Sequence, residues 1–150
     1  MTTGATPHPM DLPDNNVLIN ALRADAPHHT KAKSWLETAL NAGQSMRLFP
    51  TLETGFLRVV THPGIFVPPT PVNEACLFLT VLCGAPTVEV CHWNESARLI
   101  WLKLCQEMDL RGNDCNDAML AAVCIDRGLR LVSFDHGFKR FADLHLLLLD

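Results

Sequence analysis

Five acidic side chains stand where a predicted strand gives way to a helix or a loop. Asp14 follows the first predicted strand, Glu53 lies in the first turn of the helix after the second strand, and Asp135 follows the fourth strand. Asp114 and Asp117 lie in the first turn of the last long helix. In a parallel sheet with helical crossovers these positions share one rim, which is where open α/β sheets bind their ligands.

Several carboxylates on one rim repel one another unless a cation neutralises them. Ligands that are all oxygen suit Mg²⁺ or Mn²⁺. Such an ion, held by few carboxylates, keeps several waters, and it can activate one of them and stabilise a phosphate under attack. The positions of these acids therefore predict a metal site for phosphoryl chemistry at this rim.

Each of these residues also has a structural explanation. Acids near a helix N-terminus are favoured by capping and by the helix dipole, and Asp135 could simply begin a turn. Their combination on one rim favours the metal site over these separate explanations. Asp114 is better explained as a helix-start acid or a support for the ligands than as a ligand, and Arg58 as either a phosphate contact or a partner for a rim acid.

Strands and helices alternate along the chain. Short apolar strands are predicted at residues 10–13, 46–49, 87–91 and 144–149 and in the run from Leu129 that ends at Asp135. Amphipathic helices are predicted between them, with Thr51 as the N-cap of the third and Gly128 as the stop of the last. The alternation predicts a three-layer α/β/α domain over residues 10–150, with a central, mostly parallel sheet of about five short strands and helices on both faces. Residues 1–9 are predicted to form a flexible tail.

Composition narrows the class of protein. The chain has 150 residues, 48% of them hydrophobic and 19% charged, which is typical of a globular domain. A net charge of −4 argues against a general nucleic-acid coat but allows an enzyme that touches a few phosphates. No apolar run reaches the ~20 residues that span a membrane, and the polar N-terminus does not resemble a signal peptide.

The remaining motifs point to a reducing cytoplasm and away from other metals and nucleotides. The six cysteines form no C-x-x-C pair and are predicted to be free thiols. The seven histidines show no zinc-binding spacing. The chain has no glycine-rich phosphate loop of the nucleotide-binding kinds.

Four stretches, in order, resemble the PIN-domain nucleases and especially their VapC branch. The first is Leu-Pro-Asp-Asn-Asn-Val-Leu at residues 12–18, and the second is Gly-Phe-Leu-Arg-Val-Val-Thr-His-Pro at residues 55–63, with Glu53 ahead of it. The third combines Gly112-Asn113 with Asp117-Ala118 and residues 120–122, and the fourth is Val-Ser-Phe-Asp at residues 132–135. The likeness extends over roughly residues 10–150.

The resemblance implies a metal-dependent endoribonuclease that is the toxin of a toxin–antitoxin pair. Asp14, Glu53, Asp117 and Asp135 match the family's acidic positions, and Asn16 matches its usual polar neighbour. By this resemblance Asp14, Asp117 and Asp135 would be the metal ligands, and Glu53 would complete the catalytic set. An activated water would attack the RNA phosphate in line and leave a 5′-phosphate and a 3′-hydroxyl. The family also implies a homodimer and inhibition by a small antitoxin protein.

Three positions depart from the family pattern. Asn15 replaces the usual apolar residue after the first acid, His136 stands where a basic residue is common, and Asp114 is an additional acid. None of them removes a predicted ligand. The alternative to an enzyme is a catalytically weak PIN-fold module that binds a partner protein or RNA. The intact acids argue against this alternative.

Overall fold

The computed structural model describes residues 9–150, so that the predicted tail lies, except for Pro9, outside the described residues. Strands and helices alternate through this part of the chain. In order they are β1 Asp11–Pro13, α1 Asn15–Leu22, α2 His29–Asn41, β2 Met46–Leu48, α3 Pro50–Val60, α4 Val72–Cys83, β3 Val88–Val90, α5 Glu95–Glu107, α6 Asp114–Arg127, β4 Arg130–Ser133, a 3₁₀ helix at His136–Arg140 and β5 His145–Leu148.

The five strands form one parallel sheet in the order β3-β2-β1-β4-β5. The central strand β1 lies beside β4, and Pro13 is in register with Val132. Asp14 and Ser133 therefore leave the sheet next to each other. The predicted α/β class and the parallel sheet are confirmed.

Helices cover both faces of the sheet. Successive side chains of a strand point to opposite faces, and in β4 Val132 packs in the apolar cluster beneath α1 to α4 while Leu131 packs in the cluster beneath α5 and α6. Both side chains are fully buried. The three-layer arrangement follows from this alternation.

Two helix boundaries test the local rules. Helix α6 ends at Gly128, whose φ of 67° is the left-handed conformation that glycine adopts without strain, as predicted. Thr51 was predicted as the N-cap of α3, and that is wrong because Phe49 occupies the cap and Pro50 is the first helical residue. Proline suits that position because its fixed φ matches the helix and its missing N–H is not needed there.

A buried ion pair joins β1 to β4 at the amino end of the sheet. Asp11 is in register with Arg130, whose Nε and Nη2 lie 2.7 and 3.0 Å from the two carboxylate oxygens. Asp11 is 1% exposed, so the guanidinium is its main compensation for lost hydration. The pair closes the end of the sheet opposite to Asp14.

Candidate active site

A cleft of about 480 Å³ opens at the carboxyl ends of β1 and β4. Three of the predicted acids, Asp14, Asp117 and Asp135, line it. The full lining is Asp14, Asn15, Asn16, Thr51, Leu52, Thr54, Gly55, Arg58, Asn113, Asn116, Asp117, Met119, Leu120 and Asp135. Loops and helix starts from four elements thus bring three carboxylates from distant parts of the chain into one place.

Asp14 is the most deeply buried of the three acids. It caps α1, accepting a hydrogen bond from the amide of Asn15 at 2.7 Å and one from the hydroxyl of Ser133 at 2.9 Å. Burial raises its pKa to about 6, the two hydrogen bonds oppose that rise, and the charges of Asp117 and Asp135 add to it. A cation nearby would stabilise the ionised form of Asp14, which burial and the neighbouring charges disfavour.

Ser133 connects the acids, and sequence reasoning did not single it out. Its hydroxyl donates to Asp14 and accepts from the amide of Asp135 at 3.0 Å and from the side chain of Asn16 at 3.2 Å. It is fully buried, and these contacts use its whole hydrogen-bonding capacity. Its signal in the sequence was a polar residue at the end of an otherwise apolar strand, two positions before Asp135.

Asp135 and Asp117 complete the acidic side of the cleft. Asp135 is exposed and accepts a hydrogen bond from the amide of Gly137 at 2.8 Å, which begins the 3₁₀ helix. Asp117 lies in the first turn of α6 and is half-buried. Burial raises its pKa, Arg140 lowers it, and the charges of Asp135 and Asp114 raise it.

Arg140 is the second functional candidate that the sequence did not reveal. Its Nη2 lies 2.9 Å from Asp117 Oδ2 and 3.4 Å from Asp114 Oδ1. Asp114, predicted as a helix-start acid or a support for the ligands, therefore shares a cation with Asp117 and does not line the cleft itself. The 3₁₀ helix brings Arg140 back over the acids, and no periodicity in the sequence marks such a short element.

Glu53 is not brought into the cleft. It lies in a separate depression with Leu79, Thr80, Cys83 and Gly84, its Oε1 is 4.0 Å from Cys83 Sγ, and burial raises its pKa. The reason is helical geometry, because Glu53 is two residues from Thr51 and from Gly55 and so points about 200° away from them.

The face of α3 that borders the cleft carries different residues. Thr51, Gly55 and Arg58 lie on it, and a Cβ added to Gly55 would lie 2.5 Å from the side chain of Asn15, so α3 and α1 approach closely there. Arg58 is exposed and lines the cleft, which adds a cation to its lining. His136 pairs instead with Asp150, outside the cleft lining.

The donor set of the cleft fits a hard cation. Asp14, Asp117 and Asp135 supply carboxylate oxygens alone, the donors that Mg²⁺ and Mn²⁺ prefer, and Mg²⁺ commonly takes one or two carboxylates and fills its shell with water. Within residues 9–150, no three side chains of His, Cys, Asp or Glu stand close enough together to hold one ion. The acids are engaged instead by Ser133, by backbone amides and by Arg140.

Comparisons with known proteins agree with this fold. Residues 12–144 match the family model of the PIN domain. The chain is 34% identical over 131 residues to ribonuclease VapC43 of Mycobacterium tuberculosis, covering 87% of this chain and 89% of the relative. It is 33% identical over 135 residues to ribonuclease VapC31 of the same organism, covering 90% of this chain and 95% of the relative.

Solved structures show the same fold at lower identity. VapBC2 of Rickettsia felis, crystallised with a DNA fragment from the promoter, superposes with a TM-score of 0.71 at 16% identity, covering 94% of this chain and 99% of that one. VapC20 of Mycobacterium tuberculosis, described as a toxin that cleaves the sarcin-ricin loop, gives a TM-score of 0.66 at 16% identity, with 88% and 95% covered.

Proposed function

The chain belongs to the PIN-domain family, and its relatives include VapC ribonucleases. We propose that it is a divalent-metal-dependent endoribonuclease, the toxin of a toxin–antitoxin pair. The observation that carries the proposal is the cleft in which the buried carboxylate of Asp14 faces the charges of Asp117 and Asp135. Gathering three acids in one cleft is unfavourable for a metal-free fold, because each ionised carboxylate raises the free energy of ionising the next one.

The proposed metal ligands are Asp14, Asp117 and Asp135. When bound, Mg²⁺ or Mn²⁺ would supply a polarised water and neutralise charge on the phosphate. The hydroxyl of Ser133 donates to Asp14 and accepts from the side chain of Asn16, and these two hydrogen bonds hold the Asp14 carboxylate in one orientation.

Arg58 is the proposed phosphate contact. Arg58 is an exposed residue of α3 and lines the same cleft as the acids. A guanidinium can bind two phosphate oxygens at once, so Arg58 can anchor the RNA backbone while the acids face the scissile bond.

We expect the chain to cut single-stranded RNA with Mg²⁺ or Mn²⁺ and to lose that activity in excess EDTA. Zn²⁺ should not be required, because the cleft offers oxygen ligands only. The measurement is cleavage of a labelled RNA by gel electrophoresis, with the metal added back after chelation.

The control for this test is Asp135→Asn, which keeps the size of the side chain and removes one proposed ligand. We expect it to remain inactive when metal is restored. Full activity of the parent in EDTA would contradict the metal mechanism, and a parent that binds RNA without cutting it under any of these metals would favour the binding-module alternative.

We expect Glu53→Gln to retain RNA cleavage within about threefold of the parent, whereas Asp117→Asn should lose about a hundredfold or more. Glu53 points away from the cleft and Asp117 points into it, and the two variants remove the same charge from the first turn of a helix. Initial cleavage rates at saturating Mg²⁺ make the comparison. Equal losses in both variants would return Glu53 to the catalytic set.

The proposed partners are the RNA substrate, a small antitoxin protein and a second copy of the chain. Support comes from the VapBC2 structure, which shares the fold, and from apolar side chains on the surface. Leu77 and Val81 of α4 are 61% and 66% exposed beside an apolar groove between α2 and α4. Exposed apolar groups in such a groove favour contact with protein.

We propose a cytoplasmic location. All six cysteines lie in the described part of the chain and are free thiols, as expected in a reducing compartment. In residues 9–150, no helix has the length and apolar character that crossing a membrane requires.

A further inference from the structure

We infer that Arg140 is a built-in counter-ion that competes with the metal for Asp117, so that metal binding must displace its guanidinium. The inference rests on the proposed function, since it concerns the same three acids. It gives a role to a side chain that the proposed reaction does not otherwise use.

Arg140 contacts Asp117, which is one of the proposed metal ligands. Its Nη2 lies 2.9 Å from Asp117 Oδ2, the shortest of its contacts with the acids, and 3.4 Å from Asp114 Oδ1. Asp117 is the less exposed of these two carboxylates, with 20% of its side chain accessible against 51% for Asp114. The guanidinium therefore neutralises Asp117 chiefly, where hydration is weaker.

Arg140 also borders the third acid. A Cβ placed on Gly137 would lie 3.0 Å from Asp135 Oδ1 and 3.7 Å from Arg140 Nη1. The guanidinium and the Asp135 carboxylate are both near that position, but they form no ion pair with each other within residues 9–150. Arg140 thus pairs with Asp117 and Asp114 and has Asp135 in its neighbourhood.

The side chain can leave the acids without losing all of its contacts. Its Cζ lies over the ring of Phe141, 5.0 Å from the centroid, and Phe141 is itself buried. The Arg140 side chain is 31% exposed, so it has room at the edge of the cleft. A metal that takes Asp117 would shift the guanidinium along the Phe141 ring rather than force it into the core.

Arg58 shows that the cleft does not need Arg140 merely to carry positive charge. Arg58 lines the cleft yet forms no ion pair within residues 9–150. Two arginines therefore differ in state, one bound to the acids and one left open to a phosphate. The bound one is the natural competitor for a metal.

The test measures metal affinity in the absence of RNA. Mn²⁺ binding is followed by electron paramagnetic resonance, and Mg²⁺ binding by calorimetry, for the parent and for Arg140→Gln. The matched control is Lys139→Gln, which removes the same charge from the adjacent position of the 3₁₀ helix, where Lys139 is exposed and touches none of the three acids. Arg140→Lys keeps the charge but loses the planar fork.

We expect Arg140→Gln to bind Mn²⁺ about fivefold more tightly than the parent, because the competing ion pair is gone. Lys139→Gln should change affinity by less than about twofold, as expected for a more distant charge screened by water. Arg140→Lys should lie between the parent and Arg140→Gln. Circular dichroism in EDTA verifies that each variant is folded, and Arg140→Lys decides the question if Arg140→Gln is not.

Equal or weaker Mn²⁺ binding by Arg140→Gln, with the parent binding Mn²⁺ and cutting RNA, would overturn the role of Arg140 and leave the proposed function standing. An equal gain in Lys139→Gln would also overturn it, since the effect would then be net charge alone. A parent that binds neither ion would overturn the metal-dependent function, and the competition with it.

Discussion

Asp14→Asn is expected to unfold at a higher temperature than the parent in EDTA at pH 8, while losing RNA cleavage by about a thousandfold. The two effects have one cause. Asp14 is 6% exposed and faces Asp117 and Asp135, so its ionised form is costly to the metal-free fold and is the form that a cation needs. Asparagine keeps the size and a hydrogen-bonding oxygen for Asn15 but carries no charge.

The pH dependence follows from the direction of the shift. Burial raises the pKa of Asp14 from 3.8 to about 6, so the native state holds this proton more tightly than the unfolded chain does. The stability that this proton contributes is complete below pH 3.8 and is lost as the pH rises through about 6. A shift of this size corresponds to about 3 kcal/mol at most, and altered hydrogen bonds to Ser133 reduce the expected gain at pH 8 to about 1–2 kcal/mol.

Thermal melting of both proteins in EDTA at pH 4 and at pH 8 measures this effect. The variant should melt several degrees above the parent at pH 8 and near it at pH 4, and Mg²⁺ should favour the parent because it binds the native state. Asp143→Asn is the control, since it removes one charge from an exposed position. A lower melting temperature for Asp14→Asn at pH 8 would mean that the cap of α1 outweighs the charge.

Arg130→Met is expected to destabilise the fold by about 3 kcal/mol, because it leaves the carboxylate of Asp11 buried without a partner. Asp11 is 1% exposed and receives two hydrogen bonds from the guanidinium at 2.7 and 3.0 Å. For a chain of this length the loss corresponds to roughly 10 °C in melting temperature. Urea titration at pH 7 gives the free energy of unfolding directly.

Two further variants separate the buried charge from the lost contact. Asp11→Asn combined with Arg130→Met removes both charges and should recover part of the loss. Arg111→Met breaks an ion pair with Asp109 whose side chains are 85% and 83% exposed, and it should leave stability nearly unchanged. If Arg130→Met were as mild as Arg111→Met, solvent would be reaching Asp11, and the pair would not be a buried one.

The sequence predicted the parts of the site that depend on where strands end. Asp14 and Asp135 follow strands of a parallel sheet, and Asp117 lies in the first turn of a helix that packs on it, so alternation alone brings these acids to one cleft. Their roles as ligands remain predictions. Ser133 was predictable in principle, as a polar residue closing a buried strand.

Glu53 and Arg140 show what such patterns leave open. Glu53 lies in the first turn of α3, at the end of the helix that is near the cleft. The direction of its side chain around the helix axis depends on where α3 begins, and Pro50 is the first helical residue. Arg140 reaches the acids through five residues of 3₁₀ helix after Asp135. Both depend on rotations of single turns, which hydrophobic periodicity does not determine.

The hydrogen bond from Ser133 to Asp14 joins residues separated by 119 positions in the chain. Asp14 directly follows β1, which is synthesised well before its neighbour β4. A growing chain therefore holds Asp14 without the strand that buries and orients it until β4 has been made, and long-range parallel pairing is intrinsically slow to form. The order of the strands therefore delays assembly of the cleft until β4 has been synthesised, because Ser133 follows Asp14 by 119 positions.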